Sequence, residues 1–151
     1  KSDAKNLSEL ADWKVQIKYF TSNLFNNDIG LTEKDFATYT ITISTPERAI
    51  MELLHHVPEN QTFDEADKIM EGLFSLRPDL VLTLLKECNS IKVKRLFLYL
   101  AEKNSLPVLK HLNINDINLG SGKRLIVKDG ILDKKYNITV PKQDFLDEQI
   151  P

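Results

Sequence analysis

The sequence predicts an α+β domain, with N-terminal strands, a central cluster of four or five helices and C-terminal strands. Three observations predict it. Apolar and polar residues alternate over 13–20 and 37–44. From residue 46 to residue 103 the apolar spacing lengthens to three or four. Beyond residue 119 it returns to two. Strands at both ends of a helical cluster are expected to share one sheet. The length of 151 residues suits one domain with a single core. Residues 1–12 read as a tail or linker, 13–141 as the domain and 142–151 as a second tail.

The first strand is expected in "WKVQIKYF", where Trp13, Val15, Ile17 and Tyr19 share one face and Lys14, Gln16 and Lys18 the other. "NNDIG" turns the chain, and "ATYTITIS" sets Tyr39, Ile41 and Ile43 against Thr38, Thr40 and Thr42. The first helix has Thr45 at its N-cap, Pro46 at its first position and Glu47 in its first turn. Ile50, Leu53, Leu54 and Val57 form its stripe, and Pro58 ends it. A capping box from Thr62 to Glu65 opens the second helix, which carries Ala66, Ile69, Met70, Leu73 and Phe74. Pro78 starts a third helix. "SIKVKRLFLYLAEKN" gives a fourth, with Val93, Leu96, Phe97, Leu100 and Ala101 inward, and a short fifth is expected near Pro107. "RLIV" and "YNITV" read as terminal strands, with Asp129-Gly130 as a hairpin turn.

Composition excludes several classes. At 42% hydrophobic and 28% charged, the chain is neither a disordered nor a collagen-like sequence. It holds no apolar run of the roughly 18 residues that a spanning helix needs, and no membrane partner is expected. "KSDAKNLSEL" lacks the pattern of a signal peptide. The single cysteine, Cys88, lies in an apolar pattern and fits a buried thiol in a cytoplasmic protein. The net charge of −2 hides an asymmetry. Residues 1–85 carry 8 Lys/Arg and 14 Asp/Glu, residues 86–142 carry 12 and 5, and the last nine carry 0 and 3. The basic second half suggests a polyanionic or acidic partner.

The motifs that suggest chemistry fail on spacing. "GSGKR" looks like a phosphate loop, but the first glycine of that motif would fall at Ile117, and Arg124 follows the lysine where a hydroxyl is required. A strand pattern follows it, so its glycines are assigned to a turn. Adjacent His55 and His56 diverge on a helix, and His111 stands apart, so no metal site and no cofactor are expected. "DEAD" at 64–67 is an acidic first turn, and Ser and His residues form no triad signature. No catalytic residue is assigned, although a nuclease-like enzyme or a DNA-binding accessory domain stays open as an alternative. Lys92, Lys94 and Arg95 open the fourth helix, and Lys123, Arg124, Lys128, Lys134 and Lys135 lie on the terminal strands. Cations at a helix N-terminus oppose its dipole by about 0.3 kcal/mol or more. All eight are therefore candidates for contact with a partner or nucleic acid, Lys92, Lys94, Arg95, Lys123 and Arg124 foremost. Arg48 and Arg77, at proline-marked helix boundaries, are expected to be structural.

Three segments together resemble a known family: Thr45-Pro46-Glu47-Arg48-Ala49, the acidic helix leading to Leu76-Arg77-Pro78, and Val93-Lys94-Arg95-Leu96. With "LGSGKRLIVKDGILDKKYNITVP", they are similar to AbiEi-type antitoxins of bacterial type IV (abortive infection) toxin–antitoxin systems. The similarity runs from Trp13 to Pro141. It implies a C-terminal domain with antitoxic activity against a nucleotidyltransferase-like toxin, without a stable toxin–antitoxin complex. It also implies an N-terminal winged helix-turn-helix that binds operator DNA and represses the operon in the full-length protein. That winged helix is not expected within this chain.

Overall fold

A computed structural model describes residues 17–142. It shows an α+β fold with four α-helices between two small sheets. Of the first expected strand, residues 13–16 lie outside the described residues. The remainder, 17–20, is irregular and exposed. It runs past the first helix, with the Phe20 ring 4.2 Å from that of His56, and gains no ladder partner there.

The first sheet is an antiparallel hairpin of β1 (Leu31–Asp35) and β2 (Thr40–Ser44), with Leu31 opposite Ser44 and Asp35 opposite Thr40. β2 lies within the expected "ATYTITIS" segment. β1, "LTEKD", lacks the alternation that would have marked it. Phe36 and Tyr39 close the turn through paired backbone bonds, with their rings stacked at 4.9 Å.

Helix α1 (Pro46–His55) starts where the proline and acidic residue place it, although Thr45 makes no side-chain capping bond. Helix α2 (Phe63–Glu71) forms one arm of its capping box: Glu65 N–H donates to Thr62 Oγ1 at 3.2 Å, while the Glu65 carboxylate accepts from Gln61 instead. Helix α3 (Pro78–Glu87) packs on α1. Helix α4 (Ile91–Lys103) is capped by Ser90, whose Oγ accepts from Val93 N–H. It is the axis of the molecule and touches α1, α2, a 3-10 turn at Pro107–His111 and the C-terminal sheet. The expected fifth helix is this 3-10 turn. Eight of the thirteen α4 residues are buried, five of them the expected apolar set. A helix enclosed on several sides has no polar face to spare.

The C-terminal strands form a second sheet of their own and do not join the first. The helices intervene, and the central strand packs on α4. The sheet comprises β3 (Arg124–Leu125), β4 (Ile131–Asp133) and β5 (Ile138–Val140), in the order β3-β5-β4. β3 runs parallel to β5 and β4 antiparallel to it. Asp129-Gly130 does turn the chain, with Asp129 at φ 59°, but the strands it joins flank β5 and do not pair with each other. The hairpin proper is β4–β5, closed through Asn137 at φ 54°. Gly130 is required for a different reason: a Cβ there would lie 2.2 Å from the Val140 carbonyl oxygen.

Candidate functional site

The basic residues divide by what they touch. Lys92 crosses to the end of α1, where its Nζ donates to the carbonyls of His55 at 3.0 Å and Val57 at 2.7 Å. A cation there satisfies orphan carbonyls and complements the negative end of α1. Burial pushes the Lys92 pKa down. His55 is also shifted down, first by burial and then by Lys92. This histidine is thus held toward its neutral form at a helix end.

Lys94 and Arg95 are only 5% and 4% exposed. Lys94 donates to the Asn118 carbonyl at 3.2 Å. Arg95 donates through Nε to Leu119 and through Nη1 to Gly122 and Asn137. One guanidinium therefore ties the glycine loop before β3 to the residue before β5. The loop follows α4 closely: a Cβ at Gly120, which sits at φ +66°, would meet Ile91 at 3.0 Å. The "GSGKR" stretch is accordingly a turn braced from within by Arg95.

The eight candidate cations do not share one exposed surface. Lys94 and Arg95 are enclosed and committed to backbone carbonyls, and Lys92 is half-buried and committed to two. Lys135 is exposed but pairs with Glu102, which raises its pKa. Arg124 is half-buried, with Nη1 on the carbonyls of Ser121 and Lys123. Lys123, Lys128 and Lys134 are exposed and make no ion pair among the described residues.

The structural reading of Arg48 and Arg77 agrees with the contacts. Arg48 donates to the carbonyls of Asn27 and Ile29 and to Glu52. Arg77 donates to buried Glu47 through its backbone N–H at 2.9 Å, Nε at 3.1 Å and Nη2 at 3.2 Å. Burial alone would raise the Glu47 pKa, but the Arg77 bonds outweigh it and lower it to about 2. Cys88 is buried at 4% exposure, and burial raises its thiol pKa. A buried, protonated thiol is a poor nucleophile.

Two exposed leucines complete the picture, and the sequence reading missed both. In the sheet register, Leu125 and Leu132 both oppose Thr139, which places all three on one face. Ile138 and Val140 turn the other way, into the core. Leu125 is 62% exposed and Leu132 45%, and they flank Thr139, which is buried at 8% exposure between them. Exposed Lys123 and Lys134 lie just outside these strands, one before β3 and the other after β4. The signal was present in "KRLIV" and "ILDK", but assigning the faces required the position of β5.

Among the described residues no group of three or more His, Cys, Asp or Glu side chains could hold a metal ion, and no helix is long and apolar enough to cross a membrane. The described residues form an α+β domain with cations braced inside it. Its class is regulatory: residues 8–141 match the model of the family described as transcriptional regulator, AbiEi antitoxin, type IV TA system. The match covers most of the chain, and the chain belongs to that family. Neither a curated protein nor a solved structure matches it.

Proposed function

We propose that residues 13–141 are the antitoxic domain of a type IV system, counteracting a nucleotidyltransferase-like toxin by binding and without a reaction of their own. In the full-length protein the domain would also contribute to repression of its own operon. Family membership supports the antitoxin role. The observation that supports a binding mechanism is the pair of exposed leucines on the C-terminal sheet, Leu125 and Leu132, each two residues in sequence from an exposed lysine, Lys123 or Lys134. Lys128, also exposed, adds charge nearby in sequence. Apolar area gives such a face affinity, and the lysines steer an acidic target toward it. Four such side chains fall far short of the ~800 Å² per partner of a stable interface. The face suits a transient encounter, in keeping with a class in which toxin and antitoxin form no stable complex.

Co-expression with the cognate toxin tests this. The chain should rescue growth, and a Lys123→Glu, Lys134→Glu, Leu132→Ser variant that keeps its circular dichroism and Tm should not. Failure of the folded wild-type chain to rescue would overturn the antitoxin reading. Full rescue by the triple variant would overturn the assignment of the face.

A further inference from the structure

An open cleft of about 350 Å³ lies where the end of α1 meets the start of α4. Its polar lining includes Asn23, His55, Asn89, Lys92 and Arg124, and no carboxylate. Lys92 spends two of its three ammonium protons on the carbonyls of His55 and Val57, which leaves one. Arg124 spends only Nη1, on nearby carbonyls, which leaves Nε and Nη2 without acceptors among the described residues. Ser90 and Ile91 line the cleft as well, so the α4 N-terminus opens there. The backbone N–H groups of Ile91 and Lys92 have no protein acceptor among the described residues.

No carboxylate lines this cleft, although Glu59 acts on Lys92 from outside it. Lys92, Lys94, Arg95 and Arg124 make no ion pair with a carboxylate among the described residues. The α4 first turn also lacks the acidic residue that α1, α2 and α3 each carry there. The titration shifts agree in sign. Arg95 is pushed down by burial and by Arg124, and His55 by burial and by Lys92. Each group gains from nearby negative charge, and the described residues of the chain supply none in the cleft.

We propose that this cleft binds a phosphate group, held by Arg124, by the remaining Lys92 proton and by the first-turn amides of α4. Two cationic side chains beside free backbone N–H groups form a charge-assisted donor set suited to an oxyanion. The volume admits a phosphate with part of the molecule that carries it. Its source is either a small phosphate monoester or the phosphodiester backbone of a nucleic acid, and the donor set is common to both.

The test is an amide-resolved NMR titration with inorganic phosphate, adenosine 5′-monophosphate and a short DNA duplex, each against chloride at matched ionic strength. The Ile91 and Lys92 amides should shift in a saturable way. Arg124→Gln should weaken the binding at least tenfold while leaving the ligand-free Tm unchanged, because Arg124 bonds only local carbonyls. Lys86→Gln, on the exposed surface of α3, should leave it unaltered. Preference for the mononucleotide would identify a monoester ligand. Preference for the duplex, with steep salt dependence, would identify the nucleic-acid backbone. Absence of saturable shifts with all three probes, or shifts that Arg124→Gln leaves intact, would overturn the proposal. The titration contains no toxin, so its result is separable from that of the growth assay.

Discussion

Arg95 offers the sharpest test of the division between bracing and exposed cations. Arg95→Met retains a long, flexible side chain in a 4% exposed position and removes every donor. Three acceptors, on Leu119, Gly122 and Asn137, then lose their partner. Hydrogen bonds to a charged group contribute about 1.5–3 kcal/mol each. Burial of the guanidinium, visible in its lowered pKa, offsets part of that gain. The net loss should be about 3 kcal/mol, or roughly 6–12 °C in Tm at this chain length. Urea denaturation followed by far-UV circular dichroism measures the first quantity and a thermal scan the second. Hydrogen exchange should localise the loosening to the loop before β3 and to β5. Arg95→Lys should recover only part of the loss, since one ammonium cannot reproduce the planar fork. A loss below about 1 kcal/mol, with the loop still protected, would refute the bracing role and return Arg95 to the candidates for external contact.

Two further predictions concern other elements. Glu47→Gln should cost about 2 kcal/mol at neutral pH: the shift from 4.5 to about 2 corresponds to roughly 3 kcal/mol, reduced because the Arg77 side chain is 63% exposed to solvent. Because the folded pKa lies below the unfolded one, this stability is complete above pH 4.5 and lost as pH falls toward 2. The wild-type and variant stabilities, from urea curves, should therefore converge in acid; a gap constant from pH 7 to pH 2 would contradict the assignment. Gly130→Ala should cost about 2 kcal/mol through overpacking against the Val140 carbonyl, read as a lower Tm, whereas an unchanged Tm would mean that β4 and β5 are less closely held than described.

The helices were legible because their signals are local. Pro46 and Pro78 occupy first turns, Thr62 and Ser90 cap, and the apolar spacing of α4 marks Val93, Leu96, Phe97, Leu100 and Ala101 as core. The strands were less legible. β2 alternates, but β1 is polar after Leu31 and is held extended by its pairing with β2. Asp129-Gly130 carried the strongest hairpin signal in the chain, yet the sheet order β3-β5-β4 uses it as a connection between two edge strands. Turn chemistry fixes a reversal of the chain; it does not fix which strands become neighbours.

The cations of α4 show why the candidate site was harder to read than the fold. A lysine or arginine near a helix N-terminus opposes the dipole, and that cost implies a compensating acceptor somewhere. The acceptor can belong to a ligand or to the chain itself. For Lys94 and Arg95 it is the chain's own backbone, 24 to 42 residues away, at a distance no local pattern reports. Polarity was read as exposure, and that inference fails wherever a loop folds its carbonyls over a helix. Lys92 and Arg124 satisfy only part of their donor capacity in this way, and they meet at the same cleft. The surplus that the sequence attributed to a broad basic face is thus concentrated, on the inner side, at two residues and a helix end. What remains outside is exposed Lys123, Lys128 and Lys134 and the exposed leucines Leu125 and Leu132, and in the proposed encounter apolar contact would contribute alongside charge.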